Sequence, residues 1–151
     1  WVRRDIKSTN LLAQVMAKQA ASQAGAFEAL MIDKNGYVTE AGSSSFFFVK
    51  DKELYVRPIS QKILNGITRQ TMLRVAKERN VTLVERPFSL DEALEADEAL
   101  ITASSIYVVP VGKIDDKIIG DGNAGQFTLA LREGYLAKAR SEFYKPKGYI
   151  E

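Results

Sequence analysis

Asn35 and Gly36, set between the apolar stretches at residues 27–32 and 37–39, constrain this chain more than any other pair. An Asn-Gly dipeptide accepts the left-handed backbone of a tight turn, so it reads as the junction of two antiparallel strands. The turn spans Asp33, Lys34, Asn35 and Gly36, and the return strand delivers Glu40 at its end. Ala41, Gly42, Ser43, Ser44 and Ser45 then read as a tight polar loop. Residues 46–50 form a further strand, and Asp51 and Lys52 turn it back through Leu54, Tyr55 and Val56. The most apolar run of the chain, Ser45 to Val49, is strand length and no more.

Helices are interspersed with these hairpins. Residues 3–7 read as extended, and Ser8, Thr9 or Asn10 can cap a helix that starts directly after Lys7. Leu11, Leu12, Val15 and Met16 fall on one face of it, and Gly25 is its natural stop. Pro58 opens a loop that ends at Gly66, Ile67 and Thr68, the start of a second helix. Met72, Leu73, Val75 and Ala76 are its apolar positions, Arg69, Arg74, Lys77 and Glu78 its polar ones, and Asn80 ends it.

Residues 81–84 read as a short strand, and Ser89 with Glu92 has the spacing of a capping box. Strands follow at 99–102 and 106–111, joined by Ala103, Ser104 and Ser105. Residues 117–119 pair back across the Asp115–Asp116 turn. A C-terminal helix covers about 124–143, with Phe127, Leu129, Leu131 and Leu136 among its apolar positions, until Pro146 and Gly148 end regular structure. Without a strict βαβ alternation, an internal repeat or a low-complexity linker, the pattern predicts one α+β domain of mixed and antiparallel strands with packed helices.

Composition excludes several chemistries. Histidine and cysteine are both absent, which removes Ser-His-Asp triads, imidazole bases, thiol nucleophiles, disulfides and His- or Cys-based metal sites. Acid–base work must run on Lys, Tyr or carboxylates. A net charge of +2 without a run of five like charges gives no case for nucleic acid or an anionic membrane. No apolar stretch approaches the roughly 20 residues that span a bilayer. Nothing resembles a signal peptide, so the expected compartment is the cytoplasm. The chain begins at Trp1 inside what reads as a motif, and a fragment or ordered remainder of a longer protein is expected.

Each chemistry-bearing residue has an ordinary reading when taken alone. Lys7 can be a solvated side chain, Glu40 a carboxylate that caps a turn or faces water, Gly66 and Thr68 a plain helix start, and Ser104 and Ser105 a polar turn. Together they amount to an amine, a carboxylate and two anion-binding turns. These are the parts needed to hold pyridoxal 5′-phosphate.

Their order and wording resemble the class IV (fold type IV) aminotransferases. Arg3, Arg4, Asp5, Ile6, Lys7, Ser8, Thr9 and Asn10 look like that family's Schiff-base segment, closest to the D-amino acid aminotransferase branch. The string from Val38 to Phe47 is similar to its Glu-led signature, with Ser45 where the signature has Asn. Leu64, Asn65, Gly66, Ile67, Thr68 and Arg69 match its phosphate-binding turn, while Val56 stands where Thr is usual.

The resemblance implies the larger, C-terminal domain of a two-domain enzyme, with a barrel-like core and an N-terminal domain absent from residues 1–151. It implies Lys7 as the Schiff-base lysine and as the base that moves the substrate α-proton, its pKa lowered by burial and nearby positive charge. Glu40 would hold the pyridine nitrogen; Gly66, Ile67, Thr68, Ser104 and Ser105 would hold the phosphate, Ser105 being the better match of the serine pair. Arg69 is expected to face outward or to support the loop. The implied reaction is transamination between an amino acid, a D-amino acid above all, and a 2-oxo acid, in a homodimer. Branched-chain aminotransferase and aminodeoxychorismate lyase are the alternatives with the same cofactor. A non-catalytic binding domain and a vitamer-binding regulator lie further off.

Overall fold

The computed structural model describes residues 3–9 and 11–143. A helix, α1 (Leu12–Gln23), precedes a hairpin of β1 (Leu30–Ile32) and β2 (Val38–Ala41). Next come β3 (Ser45–Lys50), β4 (Glu53–Val56), α2 (Ile67–Glu78), β5 (Leu83–Glu85), the short α3 (Leu90–Leu94), β6 (Glu98–Ala103) and β7 (Tyr107–Val111). A small hairpin, β8 (Lys113–Ile114) with β9 (Lys117–Ile118), leads to α4 (Gln126–Phe143). The α+β class is the one expected. The largest sheet has five strands in the order β5-β4-β3-β6-β7, antiparallel except for the β4–β5 pair that α2 connects.

Three consecutive phenylalanines explain how this sheet is buried. Side chains alternate across a strand, so Phe46 and Phe48 point to one face and Phe47 to the other. Phe46 and Phe48 join Val38, Phe88, Ala99 and Ile101 in one core, beneath the β1–β2 hairpin and α3. Phe47 joins Leu54, Met72, Val75, Leu100 and Leu131 in the second, beneath α2 and α4. Both faces are covered, which is why β3 reads as a continuous apolar run rather than an alternating one. Pro110 is tolerated because β7 lies at the sheet edge, where a missing N–H breaks no ladder bond.

Local signals behave as their chemistry predicts. Asn80 takes a left-handed φ of 56° just past α2, and Gly25 one of 74° just past α1. Ser89 and Glu92 form the full capping box of α3. The carboxylate of Glu98, on β6, accepts the Phe127 and Thr128 N–H groups at 2.9 and 2.7 Å and so caps α4 from outside its own sequence.

Several expectations are corrected. Residues 3–7 are not extended: the Ile6 N–H donates to the Arg3 carbonyl at 3.2 Å, and an Arg3–Asp5 ion pair closes the turn. α1 does not start directly after Lys7. It starts at Leu12, with Leu11 at the cap position and no side chain capping it; Asn10 lies outside the described residues, as do Pro146 and Gly148. Leu12, Val15 and Met16 are 66%, 60% and 61% exposed, and the buried residue of this helix is Gln14. β1 is shorter than the apolar stretch at 27–32, since the Glu28 side chain is committed to the serine loop and Phe27 is exposed. The strand expected at 81–84 runs Leu83–Glu85, in register with β4.

Candidate active site

Residue 4 sets the position of the opening segment. The Arg4 N–H donates to the Gln61 carbonyl at 2.8 Å, which pins the N-terminal turn to the loop before α2. The turn hands Lys7 to the wall of a cavity of about 520 Å³, walled also by α1, the β2–β3 loop, the start of α2 and the end of β6. Lys7 is exposed there, so the burial expected for it is not supplied by the described residues. Its positive charge acts on Glu40 across the cavity.

Glu40 is buried in β2, at 8% exposure. Its Oε1 accepts Arg4 Nη1 at 3.1 Å and its Oε2 accepts the Leu64 N–H at 2.9 Å. Burial pushes the Glu40 carboxyl above its ordinary value, against the opposing pull of Leu64, Arg4 and Lys7. The Arg4 guanidinium is lowered, chiefly by the same burial. Desolvation thus outweighs pairing on both partners, and a further cationic donor at Glu40 would be favourable.

The serine loop is held from the β1 side. The Ala41 N–H closes it onto the Ser44 carbonyl at 2.7 Å. Glu28 accepts the Ser43 hydroxyl at 2.6 Å and the Ser43 N–H at 3.2 Å, with Lys18 3.6 Å away. Gly42 suits this packing, because a Cβ there would sit 2.9 Å from Glu28 Oε1 and displace that side chain.

At the far end of the cavity stands the start of α2. Gly66 is its cap residue, and among the described residues no side chain bonds the first N–H groups, which a helix start leaves free and which favour an anion. Gly66 has an ordinary φ of −65°, and a Cβ built on it would meet nothing within 4 Å. The open space at Gly66 is cavity. Thr68 is buried, whereas the Ile67 side chain is 76% exposed, which leaves its backbone to face the site. Ser104 lies on the cavity wall; Ser105 is exposed and not part of it.

Arg69 does not face outward. It is 4% exposed, donates to the Arg57 carbonyl at 2.9 Å and reaches Asn65 Oδ1 at 3.4 Å, so it supports the loop from beneath. A helical wheel marks Arg69 as polar and therefore solvent-facing. The Arg57 carbonyl, a partner that no sequence pattern reveals, draws it inward.

Sequence reasoning missed Arg4, Glu28, Gln14 and Thr102. Two adjacent arginines at positions 3 and 4 carry no sign of which turns inward. Gln14 Oε1 and Thr102 Oγ1 are buried on the cavity wall and have no partner among the described residues. Buried polar atoms without partners are uncommon, and here both belong to residues that line the cavity of Lys7 and Glu40.

An amine, a buried carboxylate and an uncapped helix start around one cavity suit pyridoxal phosphate, which carries an aldehyde, a basic ring nitrogen and a phosphate.

The profile of the family described as Amino-transferase class IV matches residues 1–114, and the chain belongs to that family. Class IV aminotransferases depend on pyridoxal phosphate. Among relatives, the D-alanine aminotransferase of Bacillus licheniformis is 44% identical over 145 residues, covering 96% of this chain and 51% of that protein. The D-alanine aminotransferase of Staphylococcus aureus (strain N315) is 41% identical over 135 residues, covering 89% and 48%. The chain thus spans about half the length of the curated relatives it matches. Among solved structures, a branched-chain amino acid aminotransferase complexed with N-(5′-phosphopyridoxyl)-L-glutamate superposes with a TM-score of 0.84 at 38% identity, covering 87% of this chain and 44% of that one. The holo branched-chain enzyme of Thermobaculum terrenum gives 0.86 at 28% identity, covering 93% and 46%.

Proposed function

We propose that this chain is the cofactor-holding, C-terminal domain of a two-domain, pyridoxal-phosphate-dependent aminotransferase that exchanges an amino group between a D-amino acid and a 2-oxo acid. The observation that carries the reading is the convergence of Lys7, Glu40, Gly66, Ile67, Thr68 and Ser104 on one cavity. The D-amino acid preference rests on relatives named D-alanine aminotransferase at 44% and 41% identity. A branched-chain L-amino acid is the second reading, favoured by the structural neighbours of that name.

Pyridoxal phosphate, when bound, supplies an aldehyde for the substrate amine and a ring that withdraws electrons from the substrate α-carbon. Lys7 Nζ is the amine that would hold the aldehyde and, once released, carries the proton from the substrate α-carbon. Glu40 keeps the ring-nitrogen proton in place and so preserves the electron demand. The N–H groups at the start of α2, with the Thr68 and Ser104 hydroxyls, hold the phosphate, and Ser105 supports that turn from outside the cavity wall.

Lys7 stands at an open part of the cavity, and a domain or second copy that closes it would supply the missing burial. The proposed assembly is therefore a homodimer of two-domain chains, in the cytoplasm. No helix among the described residues is long and apolar enough to cross a membrane.

Borohydride reduction of the protein with pyridoxal phosphate, followed by peptide mapping, tests the assignment. A pyridoxyl adduct confined to Lys7 is expected; adducts scattered over Lys50 and Lys117 would overturn it. Pyruvate formation from D-alanine with a 2-oxo acid acceptor, set against oxo-acid formation from L-leucine, separates the two substrate readings.

A further inference from the structure

Glu40 can hold the ring proton in two ways, and Arg4 decides between them. A carboxylate that shares a proton with a pyridine nitrogen leaves that proton on the stronger base. In an apolar pocket an unassisted carboxyl becomes the stronger base, because burial disfavours its charged form. The proton would then move onto Glu40 and leave the ring neutral.

Arg4 sits where it prevents this. Its guanidinium is buried, with a side chain 6% exposed, and its Nη1 lies 3.1 Å from Glu40 Oε1. Its own backbone is tied to Gln61, so the arginine enters from a fixed turn rather than from a floppy terminus. Among the described residues the charges acting on Glu40 are those of Arg4 and Lys7, and the only other donor is the Leu64 N–H. Each Glu40 oxygen therefore accepts one bond from the chain and keeps a free lone pair. Lys7 does not replace Arg4 in this role, because among the described residues it acts on Glu40 only through space and makes no hydrogen bond to it.

We propose that Arg4 is a positioning residue that keeps Glu40 ionised and oriented, so that the shared proton resides on the cofactor ring nitrogen. The inference rests on the site reading above, and goes beyond it by giving the electronic state of the ring a named cause. Arg4 lies 3.1 Å from the Glu40 carboxylate, whereas a ring nitrogen would meet Arg4 only through that carboxylate, so the field of Arg4 lowers the proton affinity of the carboxylate more than that of the ring. Arg3, one residue away, is exposed and spends its charge on Asp5, which makes it a matched control.

The test loads the protein at its full natural length with pyridoxal phosphate labelled with ¹⁵N in the ring. The ring-nitrogen resonance and the cofactor dissociation constant are then measured from pH 6 to pH 9 in wild type, R4M, R4K and R3M. Wild type and R3M are expected to show the protonated-ring resonance with matching affinities. R4M is expected to move the resonance towards the neutral-ring position and to weaken cofactor binding about tenfold, the effect of a shift of one pKa unit. R4K is expected to keep the protonated-ring resonance with weaker binding than wild type, since an ammonium restores the charge without the planar fork. An R4M protein with wild-type resonance and affinity would overturn the inference, as would an R4K protein that loses the protonated ring as fully as R4M. Should R4M not fold, R4K decides: a protonated ring with weakened binding supports the role, and wild-type values on both counts overturn it. A wild-type protein that binds no cofactor overturns the site reading instead, and is told apart from the other failures by that result.

Discussion

The Leu64 N–H donates to Oε2 of Glu40 across 2.9 Å and so joins the two ends of the cavity. Leu64 stands two residues before the Gly66 cap of α2, while Glu40 belongs to β2. The carboxylate proposed for the ring and the helix start proposed for the phosphate are thereby held at a fixed spacing. A change at Glu40 is felt at both ends.

Glu40→Gln is expected to destabilise the protein by about 3 kcal/mol, because it leaves the buried Arg4 without its counter-charge. Urea unfolding measures the loss. The pH dependence has a definite sign. Burial raises the folded pKa of Glu40 above the ordinary 4.5. Between that value and the raised one the folded state binds more protons than the unfolded state. The contribution of Glu40 to stability therefore falls as pH rises through this window. In the Gln variant that slope is absent.

Asp33 carries the opposite sign. Its bond from Lys62 at 2.7 Å, helped by the Asn35 and Tyr37 N–H groups, holds its carboxyl at about 2. The stability it contributes is complete above the ordinary 3.8 and is lost as pH falls from there through 2. Acid unfolding followed by circular dichroism is expected to be shallower in this range for Asp33→Asn.

Gly66→Ala separates folding from binding. The φ of −65° suits any L-residue and the new methyl meets nothing of the chain. Lost cap preference and reduced unfolded-chain freedom offset one another, so stability is expected to stay within about 1 kcal/mol. The methyl is added to a residue that lines the cavity, and pyridoxal phosphate affinity is expected to fall at least tenfold. Titration of cofactor absorbance, alongside a thermal melt, checks both halves.

Glu98→Ala removes the acceptor for the Phe127 and Thr128 N–H groups. Two part-buried donors lose their partner, and a loss of about 1–3 kcal/mol is expected. Gly125→Ala drives a methyl into the same carboxylate and is expected to be at least as damaging. Hydrogen exchange localised to the first turn of α4 would show either effect.

Much of the fold was legible along the chain because its signals are local. The Asn35–Gly36 turn, the Ser89–Glu92 capping box, the stop at Asn80 and the strand-length phenylalanine run each depend on neighbours within a few residues. Such preferences act before any tertiary contact forms. The motif around Lys7, the Glu40 loop and the Gly66 turn were read through their resemblance to a family, since each has an ordinary reading when taken alone.

Tertiary structure decided which groups those motifs meet. Arg3 and Arg4 are adjacent and alike, yet one pairs with Asp5 in solvent and the other with Glu40 in the interior. Arg69 belongs to the polar set of α2 and is nonetheless buried under Arg57, while Leu12, Val15 and Met16 form an apolar set and stand exposed. Ser104 reaches the cavity and Ser105 does not. The physical reason is common to all of these. Backbone preference is settled within one turn of chain, whereas the burial of a charge depends on a partner 36 residues away from Arg4, or a carbonyl 12 residues away from Arg69. Only the folded chain brings these together.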